Sequence, residues 1–261
     1  MKYKLDGVDM ASFGAVPYLT RSQTFIAISG IFDLPKRKGT TEYNWGTSIE
    51  PYVDSEDIEL DGRTLAISLC IKSINYKRKL DTLRTACIAC RKLWTEFGEF
   101  DVVLKDELSV DEHISLNMAI VKVKFWQQTF TPASITITPS GGSSYTMDEF
   151  NLYKDFGITV VSRKDFENIG KRIEISTTKP YMQTKYREAR DITIGCSMIG
   201  NGIHDLYYKI SQFNALCISP GIRNLYLREN EHCSLYFKDG ITATARTERI
   251  LNFNLKCRIV Q

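Results

Sequence analysis

The chain has 261 residues, 43% hydrophobic and 25% charged, with a formal net charge of +3. That composition belongs to a folded chain long enough for one large domain or two ordinary ones, able to hold a core without disulfides or metals. Up to residue 128 there are 17 Lys and Arg against 18 Asp and Glu, and beyond it 17 against 13, so neither part carries the basic footprint of a nucleic-acid grip.

The seven cysteines are an odd number and sit mostly in apolar runs. Met1-Lys2-Tyr3-Lys4 leads into Asp6-Gly7 without an apolar leader, and no run reaches bilayer length. The expectation is folding in a reducing cytoplasm, with cysteines used as small buried apolar groups.

In chain order, the first half opens on an acidic lead-in, Asp6-Gly7-Val8-Asp9, followed by Phe13-Gly14 and a strand-like run. A second apolar run, "TFIAISGIF", leads to a loop with a basic tip, Lys36-Arg37-Lys38-Gly39, and then to "GTTEYNWGT" and Glu50-Pro51-Tyr52. Asp61-Gly62 reads as a hairpin signal. Arg63 opens "RTLAISLCI", whose alternation predicts a half-buried strand. Leu80, Leu83, Cys87, Cys90, Trp94 and Phe97 fall at steps of three and four, which predicts one helix with an apolar stripe stopped by Gly98. The runs "FDVVLKD" and "ISLNMAIVKVKFWQQTF" close the half as strands.

Residues 129–145, "TFTPASITITPSGGSSY", are dense in Pro, Gly, Ser and Thr and read as a linker, with "SITIT" able to pair as a short edge strand. Beyond it the features return in the same order. Asp148-Glu149-Phe150-Asn151 precedes Phe156-Gly157, and a weaker apolar counterpart lies near Phe166. Gly170-Lys171-Arg172 follows, then Lys179-Pro180-Tyr181, and Arg190 opens "RDITIGCSM". Leu206, Ile210, Phe213 and Cys217 form a helical stripe ended by Pro220-Gly221, and the runs "NLYLREN", "CSLYFKDGITATA" and "RILNFNLKCRIV" finish the chain, with Asp239-Gly240 as a hairpin signal. One shared phrase means little. The whole order shared, with a helix in the same place, predicts an internal duplication.

The segments "LDGVDMASFGAVP", "PKRKGTTEYNWGT" up to Glu50-Pro51-Tyr52, and "DIELDGRTLAISLCI" resemble the N-terminal domain of phage distal tail proteins, within the tail-tube-like group. The second half resembles it less, lacking the Asp-Gly lead-in and the Asn-Trp-Gly segment. The resemblance implies an α+β, mainly β architecture: two tandem tail-tube-like β-sandwich or barrel modules, each with one flanking helix, at 1–130 and 146–261, joined by a linker at 131–145. It implies a non-enzymatic virion or prophage protein of distal-tail or baseplate-hub type. Such a protein is assembled in the host cytoplasm and carried in the tail as a ring; the duplication adds that three chains of two modules would close it with pseudo-sixfold symmetry, or six chains with one module each at the lumen. Its partners would be tail tube, tape measure, baseplate or receptor-binding components, and DNA would pass through the ring unread. The candidate contacts are Lys36, Arg37, Lys38, Tyr43, Trp45, Lys171 and Arg172, because Arg and aromatic residues dominate interfaces.

No catalytic, metal or cofactor residues are assigned. Cys87-x-x-Cys90 lies on the apolar stripe without a second ligand pair. His113 and His232 read as polar loop or strand-edge positions and His204 as the opening of the second helix, all solvated, and the acidic run Asp54 to Asp61 reads as a charged strand edge. The glycines of "SGGSS" lack the strand–helix context of a phosphate cradle. Two rival readings remain: a carbohydrate-binding β-sandwich using Tyr43, Trp45 and Tyr52 as a sugar platform, and a cell-wall-directed hydrolase.

Overall fold

Asp6 and Gly7 both take positive φ, 47° and 85°. This is the tight turn that suits two twisted strands, and it joins β1 (Lys4–Leu5) to β2 (Val8–Asp9). Asp9 then accepts the Ala11 N–H at 2.9 Å and starts a single 3-10 turn, Met10–Phe13. Gly14, at φ 72°, ends that turn and aims the chain into β3 (Ala15–Pro17). The structure, a computed structural model, describes residues 2–19, 25–45, 48–164, 171–175, 182–186, 190–228 and 231–260, with the backbone alone for 171–175, 182–186 and 228.

The rest of the first half is β4 (Ile28–Ser29), the hairpin β5 (Glu42–Asn44) and β6 (Ile49–Pro51), β7 (Arg63–Lys72), α1 (Tyr76–Ala89), β8 (Lys92–Thr95), β9 (Gly98–Asp101), β10 (Val103–Leu104), β11 (Ser109–His113) and β12 (Met118–Gln127). Its two sheets run β2-β1-β8-β9 and β10-β12-β7-β3, with β11 also on β12 and β4 also on β7.

The second half runs through β13 (Thr146–Met147), β14 (Phe150–Asn151), α2 (Leu152–Phe156), β15 (Ile158–Lys164), the hairpin β16 (Lys171–Ile175) and β17 (Met182–Tyr186), and β18 (Arg190–Ile199). It continues with α3 (Ile203–Cys217), β19 (Arg223–Arg228), β20 (Glu231–Phe237), β21 (Ala243–Thr247) and β22 (Ile250–Val260). One sheet of order β14-β13-β19-β20-β22-β18-β15 holds nearly all of it, with β21 on β22.

The pairings of the two halves coincide in order and register. Ala15 faces Ile71, which faces Ala119; Ile158 faces Met198, which faces Leu251. Asp148 and Glu149 repeat the left-handed turn at φ 45° and 72°, Asn151 repeats the cap on Tyr153 and Lys154, and Gly157 repeats the stop at φ 71°. The Asp6 N–H donates to the Lys92 carbonyl at 2.9 Å and the Asp6 carboxylate accepts the Lys92 N–H at 2.7 Å; Asp148 does the same with Asn224 at 3.0 and 2.8 Å. One difference is a break at Val102. It separates β9 from β10, so the first half has two sheets where unbroken β20 makes one of the second.

The architecture is therefore mainly β, built of antiparallel sheets with few helices, as the sequence predicts. Leu80, Leu83 and Cys87 of α1 and Leu206, Ile210, Phe213 and Cys217 of α3 are buried, and the buried side chains of both halves join one apolar cluster. Burial of a side chain such as Phe213 contributes about 2–3 kcal/mol.

Several local expectations are corrected. Trp94 and Phe97 are not on the helix: α1 ends at Ala89, Trp94 is in β8, and Phe97 is in the turn to β9. The cause is Asp6, whose carboxylate takes the Arg91 and Lys92 N–H groups and pulls the chain into β1's sheet. Gly98 opens β9 rather than stopping a helix. The strand β7 is buried without interruption from Leu65 to Leu69, not alternately, because residues 17–18 and 27–29 of the same half pair along it, Ser29 beside Ala66 and the Ala27 carbonyl and Tyr18 N–H on Ser68. Of the run "TFIAISGIF" only Ile28–Ser29 is strand among the described residues. The "SITIT" segment forms no strand. It lies along α3, where Gln212 accepts the Thr136 N–H at 2.6 Å and donates to Ser134 O at 2.9 Å. Neither Asp61-Gly62 nor Asp239-Gly240 turns a hairpin: β7 pairs with β3, β4 and β12 rather than with the residues just before Asp61, and β20 and β21 both pair with β22 rather than with each other.

The two Phe-Gly stops differ in surroundings. A Cβ at Gly14 would meet only the flexible end of Lys79, whereas one at Gly157 would strike the Ile199 carbonyl. Gly14→Ala is expected to cost about 1 kcal/mol for its positive φ, and Gly157→Ala at least about 2 kcal/mol. Urea midpoints at unchanged m would measure this; equal losses would contradict the packing described.

Candidate functional site

A dense set of polar contacts lies where residues 30–42 leave their own half. Gly30 makes this exit possible: it sits at φ 82° with the Thr64 carbonyl where a Cβ would be. Arg63, the first residue of β7, anchors the exit. Its Nε donates to Gln127 Oε1 at 2.8 Å, and its Nη1 donates to Ile31 O at 2.9 Å and Asp33 O at 3.0 Å. The guanidinium lies 5.6 Å from the Phe100 ring and 4.8 Å from that of Phe130. Burial lowers its pKa, against the opposing pull of Tyr207 and Asp33.

From there the segment behaves as an added strand on the second half. Leu34 and Ile241 exchange N–H and carbonyl at 2.9 Å each way. The Arg37 N–H reaches Lys238 O at 2.9 Å, and the Asp33 carboxylate accepts the Ala243 N–H at 2.9 Å. Burial raises the Asp33 pKa, countered by that N–H and by Arg63. Phe32 is buried beside Tyr207, and its carbonyl accepts from Asn214 Nδ2 at 3.4 Å. Gly240, at φ 73°, lies directly under this crossing, where a Cβ would collide with Leu34 O. The Asp-Gly pair is thus a close-approach site rather than a hairpin.

Glu42 closes the far end. Arg258 holds it with two bonds, Nη2 to Oε1 at 2.8 Å and Nε to Oε2 at 3.0 Å, and the Tyr236 hydroxyl donates to the same carboxylate. Asp191 sits 3.1 Å from Arg258 Nη1. Burial, reinforced by the bond to Glu42, pushes the Tyr236 hydroxyl up to about 12. A bidentate, largely desolvated pair of this kind fixes orientation as well as contributing energy.

The sequence-predicted contacts divide. Arg37 is not at an exposed tip: it is 7% exposed, lies 6.0 Å from the Tyr236 ring, and donates to the Tyr52 and Asp57 carbonyls. Lys36 is exposed, and Lys38 pairs with Glu59 at 2.8 Å. Tyr43 and Trp45 project on the β5–β6 hairpin, 49% and 62% exposed, with ring centres 4.4 Å apart and Trp45 Nε1 bonded to Glu50 at 2.9 Å. Lys171 and Arg172 begin β16, and their side chains lie outside the described residues, as do Phe166, Gly170 and Lys179-Pro180-Tyr181. The residues missed from sequence are Glu42, Tyr236, Arg258 and the anchoring role of Arg63. Gly240 was the available signal, a glycine demanded by a backbone crossing.

All seven cysteines are free. Burial pushes Cys87 to about 12 and Cys90 to about 11, which makes both poor nucleophiles near neutral pH. His113 lies near Asp111, His204 near Glu96, and His232 stacks on Tyr226. Among the described residues no three His, Cys, Asp or Glu converge on a metal-sized site, and no helix is long and apolar enough to cross a membrane. The acidic residues 54–59 form a solvated turn, not a strand edge. Comparison with protein families and with curated proteins finds no match.

Glu42→Gln leaves Arg258 facing a neutral amide, with Asp191 as its remaining carboxylate partner. It is expected to lower global stability by about 1.5–2 kcal/mol, read as a fall in the denaturant midpoint. A loss below about 0.5 kcal/mol would mean the pair is solvated and does not fasten the halves.

Proposed function

We propose that this chain is a structural, non-enzymatic ring-forming adaptor of the distal-tail or baseplate-hub kind, from a phage or prophage tail, made of two tandem copies of one tail-tube-like module. The observation that carries the reading is the joint between the halves. Residues 30–42 of one copy pair with a different surface of the other, the corner between β20 and β21 and the strand β22. A contact between unlike surfaces is heterologous, and repetition of a heterologous contact closes a ring or grows a filament. The repeated pairing order and register support the two copies as one module. The resemblance of the opening segments to distal tail proteins supplies the setting, and it is an analogy of fold.

In this reading the mechanism is shape. Three chains of two modules, or six chains with one module each at the lumen, enclose a channel, while outer faces dock tail tube, tape measure and baseplate or receptor-binding parts. The near-neutral balance of each half fits passage of DNA without retention. Assembly would take place in the host cytoplasm before incorporation into the tail. The adjacent, exposed rings of Tyr43 and Trp45 favour one rival, a sugar-binding platform.

Negative-stain images of the purified chain at tens of micromolar are expected to show rings with a central hole, and Trp45→Ala to reduce ring yield. A protein that remains monomeric over that range and binds glycans on an array would replace the adaptor reading with the sugar-binding one.

A further inference from the structure

We infer that the groove between α1 and the turn joining β10 to β11 is a docking site for a second copy of this chain, which fills it with the connection between its β15 and β16. The inference rests on the two-copy reading proposed above and names the surfaces that reading requires.

The shared register fixes which positions of the halves correspond. Val103 pairs with Trp126 as Tyr236 pairs with Arg258, and Val110 pairs with Val121 as Ala243 pairs with Phe253. Lys105-Asp106-Glu107-Leu108 therefore stands where Lys238-Asp239-Gly240-Ile241 stands in the second half. In the second half this corner is covered by residues 32–42. In the first half it is open. Tyr236 is 2% exposed and its counterpart Val103 is 40% exposed. On the helices, Ala215 of α3 is buried and its counterpart Ile88 of α1 is 59% exposed. Ile241 gives both its N–H and its carbonyl to Leu34, whereas Leu108 makes no such backbone exchange among the described residues. Between Arg84, Ile88, Leu104, Lys105 and Leu108 the first half holds a groove of about 620 Å³. It is an unfilled version of the seat that Phe32 and Leu34 occupy next door.

The occupant follows from the sequence. The element before β5 is the strap; the corresponding element before β16 reads Phe166-Glu167-Asn168-Ile169-Gly170-Lys171-Arg172 beside Phe32-Asp33-Leu34-Pro35-Lys36-Arg37. With one extra residue, the aromatic, acidic, aliphatic and doubly basic positions recur in order. The same chain thus carries one seat filled from within, one seat open, and a second strap sequence to offer. Glu107 at the mouth of the open seat is exposed and replaces Gly240. It bars the close crossing seen at Leu34 O and leaves an acidic group for the basic pair. The joint between chains is thus quasi-equivalent to the one within a chain, not identical.

The test uses two full-length variants. Ile88→Arg spoils the seat at an exposed position and leaves the strap; Phe166→Ala spoils the strap and leaves the seat. By sedimentation velocity with unfolding temperatures measured alongside, wild type is expected to assemble, and each variant alone to lose affinity about tenfold or more. An equal mixture is expected to form a one-to-one dimer that cannot grow, since one intact strap meets one intact seat. Normal assembly by Ile88→Arg, or a mixture that stays monomeric, would overturn this docking site while leaving rings possible through other surfaces. A monomeric wild type would overturn the ring reading itself.

Discussion

Residues 30–42 belong to the first half by sequence but divide their hydrogen bonds between the two halves, and the arrangement of the molecule depends on that sharing. The strap adds its backbone to the corner of the second half through Leu34 and Ile241, and it is pinned at one end by the buried Arg63 and at the other by the partly buried Arg258. Arg63 grips the strap's own carbonyls at its start, and Arg258 grips Glu42 at its finish. An unpaired backbone edge is a liability that must be covered. Here the cover is supplied by the neighbouring half, so the second half is completed by the first.

The cost of this solution explains features that otherwise look unrelated. Gly30 and Gly240 are both at positive φ with a carbonyl where a side chain would begin, because the strap must pass close to backbone at its departure and at its landing. Arg63, 7% exposed, is tolerated because three hydrogen-bond acceptors and two aromatic rings surround it. A buried cation without such company would be strongly destabilising. The stretch after β12 is drawn down along α3 by Gln212, so the connection between halves follows the same interface that the strap makes.

What sequence could show was local. The lead-in acids, the Phe-Gly stops and the stripe Leu206, Ile210, Phe213, Cys217 report the backbone geometry and burial of their own neighbourhoods, and the order of such features carries the repeat. Trp94 and Phe97 misled because steps of three and four continue past a helix into a tight hairpin without breaking the count; only Asp6, 86 residues from Lys92, ends the helix. The fastening of the halves was out of reach for the same reason. Glu42 and Arg258 are 216 residues apart and look like ordinary surface charges until the fold sets them together. Arg37 sat in a run of basic residues that reads as a solvated tip, yet the carbonyls of Tyr52 and Asp57 take it inside.

All three tryptophans, Trp45, Trp94 and Trp126, lie in the first half, while Cys196, Cys217 and Cys257 are buried in the second. Equilibrium unfolding in urea can therefore be followed in each half separately, by tryptophan fluorescence and by labelling of those three thiols. If the shared strap makes the halves one cooperative unit, both probes give a single midpoint and slope. Two transitions, with the second-half thiols protected after tryptophan fluorescence has fully changed, would show that the halves are independent and that the strap does not hold them together.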